Sequence, residues 1–394
     1  MGDKFYTNEN GRPTLQELTA TGVSLLDSGG YYSSNNLEDL AIELYGRSNK
    51  NYCINGNFDI WQRGTSFTNP ASGAYTADRI KCEYGVDGGV NPTITISQQQ
   101  FPSGYMDKSF YYYRFAVSGT GSNYGNGAYY ILHLQDIEHG TRILATADRK
   151  ITVVLKVKSS ISKQVGLYLV QHYGTGGSPS SSEWLTGETY TLQAGVWTTI
   201  TKTFTLNSLT GKTFGTNNDD RVEIRLFLYC GSSYSSLINN VGNMIGWGLS
   251  PVIDISQVAC YRGDTALDYI APSLGDDLIR CMRYYEKSYN YPVAPATNTD
   301  YGLVGNLFMS GAATSNYYGQ STNFLIPKRI SSPALTIYDN IGNSGKISTW
   351  TSTGVRTDNV SYSAVIASER TIRLYLTGVS MVGFAFHYTA DAEF

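Results

Sequence analysis

The chain has 394 residues, a formal net charge of −3 and only 15% charged side chains. That length exceeds one ordinary hydrophobic core, so two domains and an appendage are expected; the near-neutral balance excludes the basic stripe that nucleic acid requires. No run of about 18 apolar residues occurs and the first ten residues lack an apolar segment, so neither membrane insertion nor a leader is expected.

In chain order, residues 1–50 are polar. Leu37, Leu40, Ala41 and Leu44 share a helix face, with Asn35 as N-cap, Glu38 three residues on and Gly46 at the stop. A helix of about ten residues is marginal alone, so its stripe needs a partner: the next domain, sister chains, or a socket in a larger assembly. The stretch Asn51–Phe67, with its apolar anchors Ile54, Phe58, Ile60 and Trp61, opens a β-domain, and Asn55-Gly56-Asn57 is turn chemistry suited to positive φ. From Ile54 to about Ala271 period two dominates: Val153, Leu155 and Val157; Val165, Leu167 and Leu169; Val222, Ile224, Leu226 and Leu228. Such strands predict antiparallel sheets with one face packed and one wet. The loops are rich in Gly, Ser and Asn, as at 119–127 and 174–184, and strands so spaced without helical patterns predict a sandwich. Trp61 and Trp197 sit in strand-forming blocks and are assigned to the core.

At Ala271-Pro-Ser the pattern turns helical. Ser273 and Asp276 form a cap, and Leu274, Leu278, Cys281, Met282 and Tyr285 define one helix over 274–287. After Pro292 strands resume at 302–309, 323–326, 334–338, 371–376 and 382–388. The fold class is therefore all-β: two antiparallel β-sandwich, jelly-roll-like domains, a short partly helical N-terminal segment, and one helix opening the C-terminal domain. The boundaries fall at 1–50, 51–272 and 273–394.

The search for chemistry returns few candidates. The four histidines, His133, His139, His172 and His387, form no HExxH pair and lie near no cysteine at metal spacing. There is no G-x-S-x-G elbow, and Gly211-Lys-Thr lacks the first glycine of a phosphate loop. Asp136 and Glu138, two apart on a strand, are a carboxylate pair of the kind a glycosidase uses; a solvated acidic edge is the plainer reading. Asn217-Asn-Asp-Asp220 offers oxygen ligands for a structural Ca²⁺, but no carboxylate-rich loop surrounds it, so no metal and no cofactor are expected. The five cysteines are widely spaced and odd in number, which predicts reduced, buried thiols. Binding chemistry is better represented. The chain has 32 tyrosines and 41 glycines, a combination of rigid amphipathic rings and small adaptable residues. Tyr173, Trp184, Tyr234, Tyr317 and Tyr318 stand in polar loops, where ring faces suit the C–H side of a sugar and neighbouring amides and hydroxyls suit its edges.

The block Asn55-Gly-Asn-Phe-Asp-Ile-Trp-Gln-Arg-Gly-Thr-Ser-Phe67 with Tyr75-Thr-Ala-Asp-Arg79, the block Leu278–Ser288 and the block Phe386–Phe394 together resemble virion proteins of bacteriophages: tail fibres and receptor-binding proteins that carry a jelly-roll module. Residues 195–206, the strand at Arg221 and residues 252–261 are similar to the second half of carbohydrate-binding-module jelly rolls. The resemblance implies a homotrimeric viral tail protein, made in the host cytoplasm and located in the virion. Its N-terminal segment would join other tail or collar proteins, and its surface would bind a host polysaccharide without catalysis. Two rivals are a purely structural adaptor or collar fibre, and a capsule-degrading hydrolase.

Overall fold

A computed structural model describes residues 6–9, 12–15, 50–103, 108–119, 121–122, 124–145, 149–307, 318–351, 353–376 and 383–394. The chain divides into two compact units, Met1–Asn51 and Tyr52–Phe394. In the first, β1 (Tyr6–Glu9) pairs antiparallel with β2 (Arg12–Leu15). The helix expected over Leu37–Leu44 lies outside the described residues.

The second unit is all-β, and among the described residues its two largest hydrophobic cores belong to two sandwiches. Eleven strands build the first sandwich: β3 (Ser66–Thr68), β4 (Lys81–Gly85), β5 (Thr93–Gln100), β6 (Tyr111–Ser118), β7 (Tyr129–Glu138), β8 (Lys150–Ser159), β9 (Lys163–His172), β10 (Glu183–Leu192), β11 (Thr198–Thr205), β12 (Arg221–Cys230) and β13 (Val252–Arg262). One sheet runs β10-β9-β12-β7-β4 and the other β11-β8-β13-β6-β5-β3. From β7 to β13 the chain crosses between the sheets at nearly every connection, a jelly-roll-like path. The period-two residues meet between the sheets as expected: Val153, Leu155 and Val157 face Val165, Leu167, Leu169, Ile224 and Leu226 in one core.

The opposite face of the five-stranded sheet is not wet, as alternation alone predicts. Tyr168, Val170 and Phe227 are buried there with Ile238 and Ile245, because the 3-10 helix Ser232–Ile238 and the loop after it fold over that face. Gly166 leaves the space that Ile238 fills, since a Cβ there would sit 2.6 Å from the Ile238 side chain.

Ser273 caps α2 (Leu274–Met282) by accepting the Asp276 N–H; a five-residue helix, α1 (Gly140–Leu144), precedes it in the chain. The helix ends five residues earlier than its periodicity predicts, because Tyr285–Lys287 leave it to become β14 and pair with Thr389–Asp391. A nine-residue strand, β22 (Gly383–Asp391), organises the second sandwich. Along it pair β14, β15 (Val304–Leu307), β17 (Ala334–Tyr338) and β18 (Ile347–Trp350), and β18 is joined by β19 (Arg356–Val360). The facing sheet is β16 (Tyr318–Asn323), β21 (Thr371–Leu376) and β20 (Ala364–Ala367). Phe384, Phe386 and Tyr388 from β22 pack against Ile372, Leu374 and Leu376 from β21. Of the strand expected at 323–326 only Asn323 is in a strand, as the last residue of β16, and β18, β19 and β20 were not legible as strands.

The three blocks that carry the resemblance converge where the two cores meet. Asn55 uses its whole side chain to staple the first block: Nδ2 donates to the Ile60 and Asp78 carbonyls, and Oδ1 accepts the Ile60 N–H. Its own N–H donates to Asp277 on α2 at 2.9 Å. Gln62 bridges Asp78 and the Tyr285 carbonyl. Arg79 pairs with Glu393, donates to the Asp136 carbonyl and lies 3.5 Å over the Tyr284 ring, while Arg63 stacks 3.7 Å over Tyr285 and pairs with Asp391. The motif is thus a buried, ion-paired joint.

Candidate functional site

Four strands of the five-stranded sheet carry a row of rings across their outer face. Trp184 on β10 stacks on Tyr168 of β9 with centroids 5.9 Å apart, and Tyr168 stacks on Phe227 of β12 at 4.7 Å. Phe227 contacts Tyr234 of the 3-10 helix, which meets Tyr129 of β7 edge-on at 5.3 Å. The ladder follows from register: Tyr168 pairs across from Arg225, and Phe227 across from Gly166 and Ile131, so same-face residues of adjacent strands line up. Its middle is buried. Trp184 is 47% exposed, and Tyr129 and Tyr234 are half-buried. Its most exposed ring is therefore the Trp184 indole, held flat by the ring it stacks on.

Beside the ladder runs a fixed ionic row. Glu223, fully buried, takes Arg221 Nη2 at 2.7 Å on one oxygen and Arg225 Nε at 2.6 Å on the other, with His172 Nε2 3.0 Å away. Burial alone would raise its pKa, but His172 and the two guanidinium groups hold it well below the usual carboxylate range. His133 lies 2.6 Å from Glu83 through Nε2; the hydrogen bond lowers Glu83 to about 2, and burial pushes the His133 pKa down. Arg225 also lies 5.4 Å over the Trp184 ring, joining ladder and row.

Ligand atoms of His133, Asp136 and Glu223 lie within 4.8 Å of one another. They do not fit a metal ion, because both Glu223 oxygens are occupied and two arginines would face the cation across a buried site. The Asn217–Asp220 turn does not fit Ca²⁺ either. Asp219 accepts the Thr175 N–H and hydroxyl, and Asp220 holds His139 and Arg142.

Of the sequence candidates, Trp184 and Tyr234 belong to the ladder. Tyr173 does not: it is 1% exposed, donates its hydroxyl to Glu183 and packs edge-on against Phe214, so its ring offers no open face. Tyr317 lies outside the described residues. Tyr318 opens β16 opposite Leu376. Tyr168, Phe227, Tyr129 and Arg225 were missed. The signal lay in the alternate positions of the β9 and β12 runs, which read as a solvated face. Asp136 and Glu138 are not a solvated edge. Asp136 is buried, and Glu138 takes Arg283 through both oxygens, at 2.7 and 2.9 Å, and the Tyr284 hydroxyl at 2.8 Å. Trp197 is not in the core. Ile200 and Phe204 set the inward parity of β11, so odd-numbered Trp197 faces outward, half-buried against Tyr112 with Lys158 Nζ 4.9 Å from its ring.

No protein-family model and no curated protein matches the sequence. Among solved structures, the N-terminal cellulose-binding domain of a Cellulomonas fimi β-1,4-glucanase is similar at 15% identity, over 46% of this chain and 93% of that one, with a TM-score of 0.25. The CBM22-1–CBM22-2 tandem of Paenibacillus barcinonensis Xyn10C is similar at 6% identity over 85% and 92%, also at 0.25. The enzymatically active domain of bacteriophage CBA120 tailspike protein 4 is similar at 15% over 53% and 21%, at 0.23. At these scores none of them assigns a ligand or a reaction to this chain.

Proposed function

We propose that the protein is a non-enzymatic glycan-binding component of a phage virion, a tail fibre or receptor-binding protein that attaches to host surface polysaccharide. The observation that carries the glycan part is Trp184, an exposed indole fixed on an aromatic ladder and bordered by ordered arginine and carboxylate groups. A flat immobilised ring matches the C–H face of a sugar at low entropic cost, and polar groups at its margin address hydroxyls. The virion part rests on the three sequence blocks, and their convergence in a buried joint suits a protein that must transmit force without its modules rotating. The same joint supports the structural-adaptor rival. The hydrolase rival draws less support, because Asp136 is buried and the Glu138 carboxylate is engaged by Arg283 and Tyr284. Glycan-array binding by the intact protein is the test: discrete hits that weaken in Trp184→Ala support the reading, and an array without hits supports the adaptor. Release of products from a bound polysaccharide would establish the hydrolase instead.

A further inference from the structure

A cleft of about 280 Å³ opens at the edge of the joint, away from the aromatic ladder. One wall is the first sandwich, with Asp59, Trp61, Gln98 and Tyr111; the other is the segment after α2 and β14, with Tyr291 and Pro292. The walls are tied together. The Tyr291 hydroxyl donates to the Asp59 carbonyl and accepts the Trp61 N–H at 3.3 Å, and Lys287 Nζ holds the Tyr291 carbonyl at 2.9 Å. The cleft is therefore preformed, which spares a ligand the cost of ordering it.

Its chemistry is selective. Rings and aliphatic carbons make most of the surface, and among the described residues Asp59 is the one charged residue in the lining, with neither Lys nor Arg. The Asp59 carboxylate is short of donors: Oδ1 is buried from solvent and accepts no hydrogen bond among the described residues, and Oδ2, which accepts Asn57 Nδ2 at 2.6 Å, keeps a lone pair for a ligand in the cleft. Burial, then the nearby Asp277, push the Asp59 carboxyl up to about 6, as expected of an acid lacking partners in an apolar surround. An anion is excluded by the absence of a cation. A purely apolar ligand would leave the carboxylate unpaired. A ligand with apolar faces and several hydroxyl donors answers both demands, and the volume, at the small end of ligand sites, suits one ring rather than a chain.

The geometry points to a second, separate saccharide site: this cleft binds a single neutral pyranose unit, with ring faces against Tyr111 and Tyr291 and hydroxyls donating to Asp59. The inference shares only its ligand class with the proposed function and does not depend on Trp184. Isothermal titration of the full chain with D-glucose, D-galactose and N-acetyl-D-glucosamine, with glucosamine as the cationic comparison, tests it. At least one neutral sugar should bind in the millimolar range. Asp59→Asn should weaken it about tenfold or more, the scale of a hydrogen bond to a charged group, without lowering the melting temperature. Tyr111→Ala provides the second variant and should also weaken binding; each titration is run in a Trp184→Ala background, so that sugar held at the ladder does not contribute. In that background, binding of glucosamine alone, unchanged affinity in Asp59→Asn and Tyr111→Ala, or no binding of any sugar would each overturn the proposal.

Discussion

Arg79 is held with φ at 72°, and its guanidinium is shared among Glu393, the Asp136 carbonyl and the Tyr284 ring. Removing one member of a buried pair leaves the other charge without compensation, so Arg79→Ala should cost about 3–5 kcal/mol, measured by urea unfolding. A loss below about 1 kcal/mol would mean that Glu393 finds water or another partner. The acids divide by sign. Glu83, lowered to about 2 by its His133 hydrogen bond, contributes stability that is complete above its ordinary value of 4.5 and lost as pH falls toward 2. Asp59 and Asp277, both raised to about 6, chiefly by burial, act the other way: the folded chain binds their protons first, so their contribution improves as pH falls from 7 toward the ordinary value of 3.8. Asp59→Asn should therefore stabilise the protein at pH 7 and flatten the rise toward pH 5; an unchanged profile from thermal melts at stepped pH would contradict this. At this scale the sequence was legible where a residue works locally. Ser273 was read as a cap from its spacing to Asp276. Arg79 was quoted as part of a motif, but its partners lie 57 and 314 residues away and no local pattern points to them.

At the scale of elements, the joint opens on a turn. Asn55-Gly-Asn is the turn its chemistry predicts: the Phe58 N–H donates to the Asn55 carbonyl at 3.0 Å, and positive φ falls on Asn55 and Phe58, at 59° and 57°. Gly56 serves close approach: a Cβ there would lie 2.0 Å from the Val258 carbonyl oxygen, against backbone that cannot move aside. Gly56→Ala should lower the melting temperature and loosen β13, with faster amide exchange at Val258, whose N–H donates to the Gly56 carbonyl. Exchange no faster than in the parent would refute this account of Gly56. Periodicity placed β8, β9 and β12 of the first sandwich because one face of each meets a core. It failed for the outer face of β9 and β12, since cover by the 3-10 helix and loop depends on tertiary placement. It failed again for β18 to β20, which at four or five residues are too short to display a period of two.

For the whole molecule, attachment and avidity are the outstanding claims. If the chain works as a trimer, light scattering of the intact protein should give three times 43.3 kDa, and three copies of a weak site would act together through effective concentration. A monomer would remove that argument while leaving the site chemistry intact. The architecture of two β-sandwiches was readable because it rests on repeated local patterns. The ladder and the joint were not, because both are made where distant strands meet. The most direct measurement is the affinity of the intact protein and of Trp184→Ala for a polysaccharide identified on the glycan array, taken with melting curves of both. The account predicts binding that falls about tenfold in the variant, with the two melting temperatures alike because Trp184 stands at the surface. Equal affinity in the two proteins, with both fully folded, would contradict it.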